Sequence, residues 1–167
     1  MTTPPQAQAG EFVELYERTL TDVYSYLASR VGDRGIAEDL TQEVFVVGAR
    51  RAAAGDGVDL PWLIGVARHK LVDHWRARGR EDRNLALAHA MTRTPADDTD
   101  IVEPGPAARV LADLNPVYRA ALVLRHVDGL TVGAVADYLG RSIEATEQIL
   151  SRARAAFRHR YQGSTDE

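Results

Sequence analysis

The sequence predicts an all-α protein made of two small helical domains that are joined by a flexible acidic linker. Apolar residues recur at spacings of three and four in both halves of the chain, which is the period of an amphipathic helix. Residues typical of helix caps, such as Asp33, Asn115 and Ser142, precede several of these stretches. No segment alternates apolar and polar residues as a half-buried strand does.

Three helices are predicted in a first domain at residues 11–83, after a disordered tail at residues 1–10 that is rich in Pro, Thr and Gln. Gly32 is expected to end the first helix and Asp33 to cap the second. The third helix is expected to start at Pro61 and to run to about Arg78. The residues expected to face inward are Phe12, Leu15, Tyr16, Leu20, Val23 and Leu27 in the first helix, Ile36, Leu40, Val44 and Val47 in the second, and Ile64, Ala67, Leu71 and Trp75 in the third.

Residues 84–106 are predicted to form the acidic linker, because the stretch from Met91 to Pro106 has little apolar content and three prolines. A second domain is predicted at 107–162, followed by a tail at 163–167. It begins with a short helix at 107–114, and Asn115 caps the next helix, whose first residue is Pro116. That helix is expected to end at Asp128-Gly129.

The stretch from Thr131 to Arg160 has the spacing of a helix-turn-helix motif. Thr131 is expected to cap a short helix that Gly140 ends, and Ser142 to cap a longer one. In the longer helix the predicted inward residues are Ile143, Thr146, Leu150, Ala153 and Phe157, and the predicted outward residues are Glu144, Glu147, Gln148, Ser151, Ala155 and Arg158, with Arg152 beside them. Such a helix fits the major groove of DNA. A helical hairpin with a solvated charged face remains an alternative, because two glutamates on this face repel phosphate, although either can accept a hydrogen bond from cytosine.

The charge pattern indicates several different partner surfaces. The net charge of −4 hides a balance of −5 over residues 1–45, from eight acids and three arginines. Residues 62–83 carry +3, from six bases and three acids, and residues 141–160 carry +3, from five bases and two acids. Charge that alternates by segment favours binding to partners of opposite character.

Several functional classes are excluded by composition. Without cysteine there is no disulfide, thiolate metal site or cysteine nucleophile. No apolar run approaches the ~20 residues that span a bilayer, so the protein is expected to be cytoplasmic and not inserted in a membrane. No glycine-rich phosphate loop, metal-ligand spacing or catalytic triad motif is present, so neither an enzyme, a metal site nor a cofactor is expected.

The chain resembles the extracytoplasmic-function (ECF) sigma factors from about Phe12 to Arg160. The stretches AEDLTQEVF at 37–45, PWLIGVAR at 61–68 and DHWRAR at 73–78 are similar to the family's region two. The stretches LNP at 114–116, LR at 124–125, DGLT at 128–131, LG at 139–140 and SRAR at 151–154 are similar to its region four. The resemblance implies two helical domains and a subunit of bacterial RNA polymerase that recognises promoters.

The resemblance also implies roles for particular residues. Core polymerase, through its β′ clamp helices, is expected to meet Glu38, Asp39, Gln42 and Glu43. The −10 promoter element is expected to meet the loop at 51–60 and Arg68, His69, Lys70, Asp73, His74, Arg76, Arg78 and Arg80. The −35 element is expected to meet Arg141, Ser142, Glu144, Gln148, Ser151, Arg152, Arg154 and Arg158. The polymerase β flap is expected to touch the helix that starts at Pro116, and an anti-sigma factor is expected to hold the free protein inactive.

Two other functions stay open at this point. A stand-alone regulator would use only the helix-turn-helix motif and would bind DNA without polymerase. An interaction partner of another kind would occupy polymerase without opening promoters.

Overall fold

The computed structural model describes the backbone of residues 5–88 and 105–163, and the side chains of residues 9–81 and 105–163. All regular structure in these ranges is helical, which confirms the predicted fold class. The helices are α1 (Pro5–Val31), α2 (Arg34–Ala53), α3 (Leu60–Ala88), α4 (Pro106–Asp113), α5 (Pro116–Leu122), which continues as a π-helical turn (Val123–Val127), α6 (Val132–Leu139) and α7 (Ile143–Gly163).

Two helix boundaries differ from the prediction. Helix α1 begins at Pro5, inside the segment predicted to be a disordered tail, and proline suits the first turn of a helix. Helix α3 continues past Arg78 to Ala88, because Gly79 is followed by residues of high helix propensity such as Arg, Glu, Leu and Ala. The rest of the predicted linker, at 89–104, and the end of the chain at 164–167 lie outside the described residues.

The chain divides into two compact units, Met1–Leu71 and Val72–Glu167. In the first unit α1 packs against α2, and the two helices are joined at Gly32, which has a positive φ of 72°. The Asp33 carboxylate then accepts a hydrogen bond of 2.9 Å from the backbone N–H of Ile36, which confirms the predicted cap. The buried apolar side chains of this unit are Leu15, Val23, Leu27, Ala37, Leu40, Val44, Phe45, Leu63, Ala67 and Leu71.

Gly48 allows close packing in this core. A Cβ atom at this position would lie 3.1 Å from Cδ2 of Leu63 and 3.2 Å from Cε2 of Phe12. Phe12 belongs to α1 and Leu63 to α3, so the missing side chain lets both helices approach α2. The period of the sequence predicted most of this core, but Leu63 is fully buried where the sequence favoured the partly exposed Ile64. The prediction for Tyr16 was wrong, because its ring packs edge-on against Phe45 of α2 and yet the residue is 39% exposed.

The second unit is built around α5 and α7. Leu114, Leu122 and Ala153 form a buried cluster against which Tyr118 and Phe157 pack. The Asn115 side chain accepts a hydrogen bond of 2.8 Å from the N–H of Val117 and is followed by Pro116 at the first helical position, as predicted.

The π-helical turn leads from α5 into α6. It buries Val123 and Leu124, leaves Val127 exposed, and ends before Gly129, whose φ is 69°. Arg125 donates to the carbonyl oxygen of Leu130 at 2.7 Å, so a side chain on this turn fixes the connection that precedes α6.

None of the helices within 5–88 and 105–163 combines the length and the hydropathy that crossing a bilayer requires. The same ranges hold no cluster of three or more side chains suited to binding a metal ion.

Candidate functional site

The acidic residues of α2 form one exposed surface. Glu38, Asp39, Gln42 and Glu43 are all exposed, while Leu40, Thr41 and Val44 on the other side of the helix are buried. Glu38 pairs with Arg34 one turn earlier at 2.8 Å, and both side chains are well exposed, so this ion pair adds little stability. The helix therefore presents carboxylates that solvent and partners can reach.

An open groove runs along this acidic surface. Its lining residues are Asp39, Gln42, Glu43, Val46, Val47, Arg50 and Lys70. Lys70 of α3 pairs with Glu43 at 2.9 Å, and this contact links a residue predicted to bind DNA with one predicted to bind protein. Val46 is 49% exposed and was missed by sequence reasoning, which placed only its neighbours Val44 and Val47 on the buried face. An exposed valine among carboxylates suits a protein partner that is basic and partly apolar.

The residues predicted to meet the −10 element follow one another along α3. His69, Asp73, Arg78 and Arg80 are exposed, whereas Arg68, Lys70, His74 and Arg76 are half-buried. The guanidinium of Arg68 lies 5.8 Å from the centre of the Tyr26 ring, and Arg30 lies 3.8 Å from the same ring. Tyr26 therefore makes cation–π contacts with both arginines, and its ring places Arg68 beside α1 within the first unit.

The loop before α3 is held by its own side chains. Arg51 donates to the carbonyl oxygen of Gly57 at 2.8 Å and its guanidinium lies 4.9 Å from the centre of the Trp62 ring. Asp59 accepts a hydrogen bond of 2.9 Å from the N–H of Trp62 and so caps α3. Sequence reasoning named this loop but did not find the Arg51–Trp62 contact, because two residues eleven positions apart give no periodic signal.

Later residues of α3 belong to the second unit. Trp75 is 4% exposed, which confirms the prediction that it is a core residue, and the guanidinium of Arg119 lies 4.5 Å from the centre of its ring. Burial lowers the pKa of the Arg119 guanidinium below its ordinary value, and the positive charge of Arg78 lowers it further.

Arg76 has a defined partner in the same unit. Its Nη2 atom donates to the backbone carbonyl oxygen of Leu139, the last residue of α6. The half-buried Arg76 therefore supports the end of the helix that precedes the recognition turn, in addition to any contact with DNA.

Helices α6 and α7 form the predicted helix-turn-helix motif. Gly140 adopts a φ of 61°, and the N–H groups of Gly140 and Arg141 bond to the carbonyl oxygens of Asp137 and Ala136 at the end of α6. Ser142 starts α7, since its Oγ accepts a hydrogen bond of 3.1 Å from the N–H of Ala145. The turn is fixed on both sides, so the first residues of α7 have a defined position.

One exposed face of α7 carries the predicted DNA contacts. All eight predicted residues are exposed: Arg141, Ser142, Glu144, Gln148, Ser151, Arg152, Arg154 and Arg158. Thr146, Leu150 and Ala153 are buried as predicted, and Phe157 packs against the core. The prediction for Ile143 was wrong, because this residue is 53% exposed although the period places it with the buried residues.

Comparison with protein families agrees with this division. Residues 15–81 match the family Sigma-70 region 2, and residues 106–157 match Sigma-70, region 4. The two matches together cover most of the described chain, and the second contains the whole α6–α7 turn.

Individual relatives give the same result. The chain is 31% identical to the ECF RNA polymerase sigma factor BldN of Streptomyces coelicolor over 89% of its length, and spans 60% of that protein. It is 29% identical to the ECF RNA polymerase sigma factor SigM of Bacillus subtilis, and the alignment covers 92% of this chain and 98% of SigM. Among solved structures, the sigma factor RpoE of Bartonella quintana, crystallised with the anti-sigma factor NepR, has a similar fold, with a TM-score of 0.58 at 19% identity, over 91% of this chain and 97% of RpoE.

Proposed function

Because this chain belongs to the ECF sigma factors of the sigma-70 family, we propose that its exposed helix faces divide promoter recognition among them. Sigma factors bind RNA polymerase core and promoter DNA, and this chain is an RNA polymerase sigma factor. The observation that carries the proposal is the occurrence of region 2 and region 4 in order on one chain. In addition, every residue predicted to contact the −35 element is exposed.

The acidic surface of α2 is the proposed docking site for the β′ clamp helices of core polymerase. Its carboxylates would attract a basic partner over a distance, and the exposed Val46 would add apolar contact once the partner is bound. Arg50 and Lys70 at the edges of the groove would limit the orientation of that partner.

Charge reversal on this surface tests the assignment. The double substitution Asp39→Arg with Gln42→Arg changes two exposed residues of α2 by three charges in total and is expected to leave the fold intact. We expect core affinity to fall at least about tenfold, measured by titration of labelled protein with purified core enzyme.

A charge-matched control is available on α1. Glu14→Arg with Glu17→Gln makes the same change in net charge at two exposed positions outside the groove. This control should bind core within about twofold of the wild type. Equal losses in both double variants would mean that total charge, rather than the α2 surface, governs binding.

For the −10 element, the proposed interface is the face of α3 with the loop at 51–60. Strand opening without ATP requires a base to leave the stack and enter a protein pocket, at a cost of a few kcal/mol. Basic residues such as Arg78 and Arg80 would hold the separated strand, and the contacts of Arg51 would maintain the conformation of the loop.

The −35 element would meet the exposed face of α7. Arg152 and Gln148 would read base edges there, and Arg154 and Arg158 would contact phosphates.

Run-off transcription with purified core enzyme tests the whole proposal. Open promoters are expected with holoenzyme and not with the free protein. The stand-alone regulator predicts specific DNA binding by the free protein, and it leaves the match to region 2 without a role. Binding to core without promoter opening would instead identify a protein that occupies polymerase without activating it.

The proposal includes a partner, a compartment and the absence of catalysis. An anti-sigma factor is proposed because the similar RpoE fold was crystallised with one, and the β flap is proposed to contact α5. The protein would work in the cytoplasm as a subunit that catalyses nothing itself. Isolation of the protein from cells without any bound inhibitor would contradict the anti-sigma factor.

A further inference from the structure

Ile143 is an exposed apolar residue at the start of the recognition helix. It is the first residue of α7 and is 53% exposed, whereas Thr146 and Leu150, which follow at three and seven positions, are 0% and 2% exposed. The departure from the helical period is therefore confined to the first turn. More than half of this large β-branched side chain is therefore accessible to solvent or to a partner.

The backbone around Ile143 is held in place. Gly140 adopts its left-handed conformation just before the turn, and the Ser142 carbonyl oxygen accepts hydrogen bonds from the N–H of Thr146 at 3.0 Å and from its hydroxyl at 2.8 Å. An isoleucine in a helix has one strongly preferred χ1 rotamer, so its methyl groups are presented with little loss of side-chain entropy on binding.

The surroundings of Ile143 are polar and charged. Arg141, Ser142 and Glu144 on either side of it are exposed, and so is Glu147 one turn later. An isolated isoleucine among charges is a poor centre for a protein interface, which requires a cluster of apolar residues. Such an isoleucine is well suited to contact a single small apolar group that lies within an otherwise polar surface of a partner.

The major groove of DNA offers such a group. The first residues of a recognition helix contact base edges, and thymine alone presents a methyl group there, which apolar side chains contact. We propose that Ile143 is a specificity-determining residue that contacts the 5-methyl group of a thymine in the −35 element. The inference rests on the proposed function, in which α7 enters the major groove of that element.

Removal of the methyl group alone gives a direct test. The −35 element is first identified by selection from a randomised promoter library with reconstituted holoenzyme. Each thymine in the selected element is then replaced by deoxyuridine, which lacks only the 5-methyl group, and promoter affinity is measured for the wild type and for Ile143→Ala. We expect one replacement to weaken wild-type binding about fourfold, the effect of one buried methyl group, and to have no effect on Ile143→Ala.

Val13→Ala is the matched control. Val13 is 54% exposed on α1, so this variant removes methyl groups from an equally exposed β-branched residue in the other unit. It should show the same response to deoxyuridine as the wild type. Ile143→Ala should fold normally because the residue is exposed and alanine favours helix, and circular dichroism checks this.

The possible outcomes separate the two proposals. If a −35 element is selected but it contains no thymine, or if every replacement affects the wild type and Ile143→Ala equally, the role of Ile143 is overturned and the sigma factor function stands. If holoenzyme selects no −35 element at all, the proposed function of α7 is overturned together with it.

Discussion

Helices α2 and α7 have nearly the same length, 20 and 21 residues, but they differ in how many residues they bury and in the charge that they expose. Helix α2 buries six residues and exposes three carboxylates, those of Glu38, Asp39 and Glu43, between Arg34 at its start and Arg50 near its end. Helix α7 buries three residues and exposes arginines together with Glu144 and Glu147. The same amphipathic pattern thus supports two kinds of surface, and the charge of the exposed side decides which partner each helix can approach.

The mixed charge of α7 has an energetic meaning. In the proposed complex with DNA, arginine contacts to phosphate would release counterions and supply affinity that is independent of sequence, and two glutamates on the same face would reduce that affinity. Contacts with bases would then supply a larger share of the affinity, so we expect α7 to depend more on sequence readout than a wholly basic helix would. On α2, by contrast, every carboxylate is expected to add to the attraction of a basic partner.

The largest effect on stability and binding is expected from a core substitution that disrupts the packing of one helix and leaves the other helix intact. Leu150→Ala removes a side chain that is 2% exposed in α7 and should lower the free energy of unfolding by about 2–5 kcal/mol. Promoter binding through the −35 element should fail while core binding persists, measured by denaturant unfolding, core titration and promoter footprinting. Leu40→Ala in α2 is the counterpart, and it should lose core binding. Equal losses of core binding and of promoter binding in both variants would contradict the comparison.

Within α7, base and phosphate contacts should be separable. Arg152→Ala should weaken the preferred −35 sequence by about 1–3 kcal/mol, because the guanidinium is expected to read a base, and should affect other sequences less. Arg158→Ala should weaken all sequences alike and reduce the salt dependence of binding. Affinities for a panel of −35 variants at two salt concentrations measure both effects, and a uniform loss in Arg152→Ala would remove this residue from base readout.

The same chemical change should act in opposite directions on the two helices. Glu147→Gln removes a charge that would face phosphate in the proposed complex, and it should strengthen DNA binding by holoenzyme by up to about fivefold, the range of a surface charge interaction. Glu43→Gln removes a charge from the acidic surface and breaks the contact with Lys70, so it should weaken core binding. Weaker DNA binding in Glu147→Gln would indicate instead that this glutamate accepts a hydrogen bond from a base.

The smallest effect is expected from removing two threonine hydroxyl groups that are buried within α2 and α7. Thr41 and Thr146 are buried and each hydroxyl donates to the carbonyl oxygen four residues earlier, at 2.7 and 2.8 Å. The carbonyl that Thr146 contacts already accepts the backbone N–H of the same residue, so Thr146→Val leaves no buried acceptor without a partner. We expect changes in the free energy of unfolding below about 1 kcal/mol for both Val variants, by chemical denaturation. A larger loss would mean that the hydroxyl group itself holds the helix.

Local signals account for most of what the sequence predicted. Asp33, Asn115, Thr131 and Ser142 act within a few residues of themselves, and all four caps are confirmed. Most of the buried faces followed from the helical period, although Tyr16 is exposed beside Phe45 of α2. The caps can be predicted without knowledge of the tertiary structure, because each hydrogen-bonding partner lies within one turn of the capping residue.

The misses share a physical cause. A period assigns a face, but burial also needs a neighbouring element at that height, and Ile143 in the first turn of α7 is left 53% exposed. In the apolar run that contains Val46, four consecutive residues cannot all point inward, and the sequence does not say which one stays exposed. The π-helical turn and the contact of Arg51 with Trp62 depend on tertiary packing, which leaves no periodic trace.

The placement of the two tryptophans gives the protein its own optical labels. Trp62 lies in the first unit and is partly exposed, whereas Trp75 lies in the second unit and is almost completely enclosed. An indole in apolar surroundings emits at shorter wavelength than one in contact with water, so the two emissions should differ in colour. With Trp75→Phe or Trp62→Phe, fluorescence would follow one indole at a time as polymerase and promoter bind, without an added dye.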